Sequence, residues 1–159
     1  MKLSENFSLK EMTFSDTAIR KQIDNTPEIE HIIALTNLCC NILQPVRENF
    51  KKPIKINSGY RSVELCEAIG SSARSQHAKG EAADFEIYGL SNLELATWIY
   101  DNLDYDQLIL EFHDPDEDPN SGWVHVSYTR NGANRKDSRI INAKTKGKYI
   151  EWQPGKKVK

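Results

Sequence analysis

His77 and Asp84 lie seven residues apart in SQHAKGEAADFE (residues 75–86), and His125 follows in WVHVSY (residues 123–128); these are residue types that bind zinc. Gly80 and the small residues Ala82 and Ala83 between the first two suit a loop entering a buried strand, and His125 lies within a second apolar strand. Two imidazoles and one carboxylate would then converge. Three protein ligands leave a zinc ion its fourth position for water, whereas a structural zinc normally takes four ligands with cysteine prominent. The pattern therefore predicts hydrolysis.

A zinc hydrolase also needs a group that takes a proton from the attacking water and passes it to the leaving group. Side chains alternate along a strand, so Gln107, Ile109 and Glu111 share one face of LILEF and its neighbour, while Trp123, His125 and Ser127 share one face of the next strand. Pairing of these strands puts Glu111 beside His125. A carboxylate ending so apolar a strand is costly unless it meets a metal, water or cation, which favours Glu111 as the base over a plain solvent-facing glutamate. Glu81, between Gly80 and Ala82, is expected to point away; Glu86 shares a strand face with Asp84. Asp114, Asp116, Glu117 and Asp118 form an acidic loop that could fold over the site, but Pro119 stands where an EF-hand calcium loop needs glycine. His113 is the competing ligand, expected at the rim of the cleft, and His31 falls in a helix away from the motifs.

Taken in order, INSGYRS (residues 56–62), SQHAKGEAADFE, DQLILEF (residues 106–112) and GWVHVSY (residues 122–128) resemble the M15 family of zinc D-Ala-D-Ala carboxypeptidases and phage-type endolysins. The similarity is greatest to its small single-domain branch, where a segment like residues 3–27 precedes the catalytic core. The resemblance implies a hedgehog/D-Ala-D-Ala-peptidase-like α+β fold and zinc on His77, Asp84 and His125. It gives Arg61 the task of stabilising the oxyanion at the scissile carbonyl, a task that suits a rigid guanidinium fork; a structural salt bridge holding the SGYRS turn is the alternative. Ser75 would orient a ligand or substrate group, and Tyr60 would either line the cleft or pack in the core. Many members place the catalytic acid three residues before the last histidine, where this chain has Gly122, so that assignment does not carry over.

The substrates implied are peptidoglycan stem peptides, cut at either a D-Ala-D-Ala or an L-Ala-D-Glu bond. Two other readings stay open: a catalytically inactive zinc-bearing module that binds cell wall, and a metal-dependent hydrolase or lyase of a different small substrate on the same scaffold.

The elements that must position these residues follow from periodicity. Ser8 and Glu11 form a capping box, with Phe7 packing on Met12, ahead of a short helix. Thr26 and Pro27 are read as the N-cap and first turn of a longer helix that Pro45 kinks or ends. Strands are expected over residues 54–58, 82–87, 107–112 and 123–128, with helices over residues 62–69 and 91–102. The sum is α+β, a small, mainly antiparallel sheet with helices on one side. One domain is expected over residues 1–159: a helical part (1–50), a catalytic core (51–130) and a basic C-terminal segment (131–159), whose lysines suit either attraction to an anionic cell wall or a solvated tail.

The chain has 159 residues, 38% hydrophobic and 28% charged, with a net charge of −2. That is long enough for a sizeable core and has no run of the ~20 apolar residues a membrane span needs. No aromatic-basic platform or Cys/His finger points to nucleic acid. The first residues show no apolar stretch of signal-peptide length, which predicts cytoplasmic synthesis followed by action on the wall, as for a phage or prophage product. Cys39, Cys40 and Cys66 are expected as reduced thiols, and the protein as a monomer.

Overall fold

In the computed structural model, which describes residues 1–114 and 118–155, the chain opens with helices α1 (Leu9–Thr13), α2 (Asp16–Arg20), α3 (Ile29–Leu38) and α4 (Gln44–Phe50), a π-helical turn Cys39–Leu43 joining the last two. Strand β1 (Lys55–Ser58), helix α5 (Val63–Ala68), a 3₁₀ turn (Gln76–Lys79), β2 (Ala82–Glu86) and α6 (Asn92–Asn102) follow. The chain then adds β3 (Gln107–Glu111), β4 (Trp123–Ser127), β5 (Asp137–Ile141) and β6 (Ile150–Glu151).

One six-stranded sheet runs in the order β1-β2-β4-β3-β5-β6. All its pairs are antiparallel except β3 with β5. The fold is thus α+β and mainly antiparallel. Ala83, Phe85, Leu108, Leu110, Val124 and Val126 project to one face and join Leu35, Leu38, Ile42, Leu43, Leu95 and Ile99 from the helices in a single buried cluster. Alternation then leaves Asp84, Ile109, Glu111 and His125 on the opposite face.

Local chemistry explains the helix ends. Ser8, Ser62 and Ser91 each accept a hydrogen bond from the backbone N–H three residues on, so α1, α5 and α6 start with a satisfied N-cap. The start of α3 differs from expectation: Glu28, not Thr26, is the N-cap, because Glu28 and His31 exchange reciprocal side-chain-to-backbone bonds. His31 is thereby consumed in a cap. Pro45 does not end the helix either. It lacks an N–H and its ring excludes the carbonyl four residues back, and the π turn just before it accommodates both, with the Gln44 N–H reaching Cys39 O five residues back.

The expected solvated tail is the larger correction. Residues 137–141 enter the sheet beside β3, and Ile140, Ile141 and Trp152 are buried. Lys144, Lys146 and Lys148 are exposed on the turns between β5 and β6, while Lys156, Lys157 and Lys159 lie outside the described residues. The short helix α2 and the 3₁₀ turn were also not anticipated. Cys39, Cys40 and Cys66 are free thiols, and burial pushes the Cys39 thiol up to about 12. No helix among the described residues is long and apolar enough to cross a membrane.

Candidate metal centre and cleft

Sheet register builds most of the site. Asp84 on β2 stands opposite His125 on β4, and His125 stands opposite Ile109 on β3. Glu111, two residues beyond Ile109 on the same face, pairs with Trp123 and sits diagonal to His125. His77 arrives from outside the sheet on the 3₁₀ turn. Ser75 Oγ accepts the His77 backbone N–H at 3.2 Å, which starts that turn. Gly80 ends it at φ +75°, packed so closely on the His31 carbonyl that a Cβ would lie 2.6 Å from it. Only glycine turns the chain there and returns it to β2.

The three side chains converge. His77 Nε2 lies 3.4 Å from Asp84 Oδ1, His125 Nδ1 lies 2.8 Å from the same oxygen, and the two rings are 5.2 Å apart. One donor atom from each falls within 4.8 Å of the others, and all three residues are buried. The His77 Nδ1–H donates to Gly59 O at 2.7 Å, a bond that fixes the tautomer and leaves the Nε2 lone pair facing the centre. Two zinc ligands with bonds near 2.05 Å at a tetrahedral angle are themselves about 3.4 Å apart. The His77–Asp84 spacing matches that separation, and His125 needs to retreat only slightly from its hydrogen bond with Asp84. The donor set and its spacing fit a zinc ion.

Charge holds Asp84 ready. Burial alone would push its carboxyl up, but the two imidazoles beside it, His125 in hydrogen-bond contact and His77 close by, hold it well below the usual carboxylate range. Its second oxygen, Oδ2, accepts from Arg61 Nη2 at 3.1 Å, and Arg61 Nε donates to Ser58 Oγ at 2.7 Å. Arg61 therefore combines a structural ion pair with a place on the cleft wall. Burial pushes His77 down, against the pull of Asp84, which favours the neutral imidazole that a metal requires.

Glu111 Oε1 lies 3.9 Å from His125 Nδ1. Burial raises its pKa and the charge of Asp84 raises it further, while His125, Arg61 and the Trp123 indole oppose the rise. The position three residues before the last histidine, where the resemblance would put the acid, is closed here. Gly122 has φ +65°, and a Cβ on it would lie 2.0 Å from Glu111 O and 2.6 Å from Phe112 C. No side chain fits at 122, and the carboxylate that reaches the centre comes from the strand packed against it.

An open cleft of about 510 Å³ surrounds the centre, with Arg61, Ser75, Glu111 and Trp123 among its walls. Other expected residues are placed elsewhere. Tyr60 is buried against His31, ring centroids 5.0 Å apart, in the core and not in the cleft. His113 is fully buried, its Nδ1 bonded to Ser121 O, and does not reach the rim. Glu86 accepts from Asn57, Glu81 lines a separate hollow with Lys79 and Arg130, and Asp114 pairs with Lys144. Asp118 accepts the Asn120 N–H within its own loop; Asp116 and Glu117 lie outside the described residues.

Five cleft residues escaped the sequence reading: Ser71, Arg74, Gln76, Arg139 and Tyr149. The alternation in DSRII, with Ser138 and Ile140 buried around Arg139, was the available signal.

The sequence profile of the Peptidase M15 family matches residues 5–127, most of the chain, and the chain belongs to that family. No curated protein matches it. M15 peptidases are zinc-dependent, and the α+β sheet with its His-Asp-His cluster is compatible with a small domain of this kind.

Proposed function

We propose that the protein is a zinc-dependent peptidase that hydrolyses peptide bonds in bacterial peptidoglycan stem peptides. The observation that carries this reading is the convergence of His77, Asp84 and His125 on one point, with Glu111 3.9 Å from His125 at the floor of an open cleft. His77 Nε2, His125 Nδ1 and an Asp84 oxygen would hold the metal. A zinc ion with three protein ligands acidifies a bound water and polarises a carbonyl.

The chain's own groups do the rest. Glu111 takes the proton of the attacking water and returns it to the leaving amine, a task for a carboxylate held beside the centre, 3.9 Å from His125. Arg61, fixed by Ser58 and Asp84, presents the remaining edge of its guanidinium to the oxyanion of the scissile carbonyl. Ser75 caps the 3₁₀ turn and so keeps His77 at the centre.

The test is mass spectrometry of purified peptidoglycan digested with the zinc-loaded protein. New termini on stem peptides, lost on chelation, are expected, and they identify the bond as D-Ala-D-Ala or L-Ala-D-Glu. Full zinc occupancy with an intact digest would overturn the peptidase reading in favour of a wall-binding module.

A further inference from the structure

The far wall of the cleft is built by residues beyond the 5–127 stretch that the family profile covers. Arg139 and Tyr149 both line it. Arg139 sits in the same cross-strand row as the metal ligands: Asp84 pairs with His125, His125 with Ile109, and Ile109 with Arg139. Two strand spacings put its backbone roughly 10 Å from that of His125. Its guanidinium is anchored at one end only. Nε donates to both Asp137 oxygens at 3.0 Å, and Gln107 Nε2 holds Asp137 in turn at 3.0 Å. Neither terminal nitrogen of Arg139 bonds to a described residue, and Glu151, its neighbour across β6, makes no ion pair with it among the described residues.

This is a half-exposed cation, tethered through Nε, with the fork of its terminal nitrogens unspent. The proton shuttle fixes what it meets. Glu111 on β3 must reach the leaving amine, so the leaving residue lies on the β3 side of the metal ligands, and β5 is the next strand out in that direction. The group one residue beyond the scissile carbonyl then faces Arg139.

Resting on the peptidase reading above, we infer that Arg139 is a specificity-determining residue that recognises a free α-carboxylate on the leaving amino acid. A planar guanidinium matches a carboxylate in two parallel hydrogen bonds. Both bonds named above release such a residue, since a terminal D-alanine carries its own α-carboxylate and a D-glutamate linked onward through its side chain leaves its α-carboxylate free. Arg74, another cation of the cleft wall, lies on a loop with no ion pair among the described residues and so lacks an anchor like the Asp137 contact that holds Arg139.

The experiment uses two pairs of synthetic peptides, D-Ala-D-Ala and L-Ala-γ-D-Glu, each with the leaving residue as α-carboxylate and as α-carboxamide. Wild-type kcat/KM should favour the carboxylate member of the cleaved pair by about 10- to 100-fold, the range of a charged hydrogen-bond pair. Arg139→Gln should remove that preference, chiefly by lowering kcat/KM on the carboxylate member; Arg139→Lys should restore part of it; Arg74→Gln should change it little. A circular dichroism melt of each variant shows that it folds. Equal wild-type rates on acid and amide overturn the inference and leave the peptidase standing, as does loss of preference in Arg74→Gln alone. If neither peptide of either pair is cleaved, the peptidase reading falls. Calorimetric binding of the same pairs then decides the role of Arg139: an acid preference lost in Arg139→Gln supports it, and equal binding overturns it.

Discussion

The two faces of the central sheet carry the same strands and opposite chemistry. On one, Phe85, Leu108, Leu110, Val124 and Val126 are fully buried against the helices. On the other, the residues that alternate with them, Asp84, Ile109, Glu111 and His125, line the cleft. A slip of one residue in any strand would exchange the two sets, driving Asp84 and His125 into hydrocarbon. The apolar face therefore fixes the register that assembles the polar one. The polar face contributes little to that packing, because its groups satisfy one another: Asp84 accepts from His125 and Arg61, and His77 is held by Gly59.

This separation of duties predicts two kinds of failure. Phe85→Ala on the core face should cost about 3–5 kcal/mol of stability, and Leu108→Ala about 2–5 kcal/mol, each read by denaturant unfolding of the apo protein. His125→Ala on the cleft face should leave the apo protein folded but abolish stoichiometric zinc in elemental analysis, and His77→Ala should do the same. His31→Ala should keep its zinc, since that ring serves as a helix cap. The comparison breaks if His125→Ala unfolds the apo protein as Phe85→Ala does, or if His113→Ala loses zinc instead.

Within the cleft face, the metal and the proton shuttle should separate as well. Glu111→Gln keeps the shape of the wall and removes the proton acceptor, so zinc should stay while turnover falls by a factor of about 100 or more. Arg61→Ala should likewise spare the metal and lower turnover. The sharper version is the double variant Glu111→Gln with Gly122→Asp, which returns an acid to the position where many M15 members have it. It should not be rescued, because a Cβ at 122 would run into the Glu111 carbonyl and the glycine has φ +65°. Recovered turnover in the double variant would show that the β3–β4 junction is pliable and that Glu111 is not required as the base.

How much of this was readable from the chain depends on how local each signal was. The strand alternation in LILEF and WVHVSY, together with the spacing of His77, Asp84 and His125, carries its own geometry, and the structure brings those residues together. Cap residues followed by acids three positions on located α1 and α6. Thr26 and Pro27 misled because Glu28 and His31 form a better reciprocal cap two residues later. Tyr60 was ambiguous because an aromatic beside a glycine reads the same in a cleft or a core; here stacking on His31 takes it inside. Residues 137–152 were missed for a non-local reason. Strand β6 has only two residues, the chain between β5 and β6 is lysine-rich, and β5 joins the rest of the sheet by parallel pairing with β3, about thirty residues away, as the register of Ile109 with Arg139 shows. Nothing nearby in sequence announces that partner, and with it went Arg139 and Tyr149.

The smallest predicted effect tests whether the two faces are linked at their edge. Asp106, just before β3, is buried and accepts from Arg135 Nε and Nη2, each at 2.8 Å, and from Gln76 Nε2 at 2.9 Å. It thus ties the start of a sheet strand to the 3₁₀ turn that carries His77. The Arg135 hydrogen bond, more than any other influence, holds the Asp106 carboxyl below its ordinary value of 3.8, and Gln76 adds to this against the opposing effect of burial. A carboxyl whose folded pKa is depressed contributes stability that is present above the unfolded value and disappears as pH falls through the folded one. Asp106→Asn should therefore be less stable than wild type by about 1–2 kcal/mol at neutral pH, the scale of a lost charged hydrogen bond. That gap should hold down to about pH 4 and close below it, as wild type itself loses the charge. Zinc content should fall only modestly, because Ser75 and Gly59 still hold the 3₁₀ turn and the His77 ring. Melting curves of both proteins from pH 7 to pH 2 measure the gap. A gap that stays constant to pH 2 would mean that Asp106 acts by shape alone, and an unchanged melting temperature at neutral pH would mean that the turn bearing His77 is held by its own cap without help from the sheet.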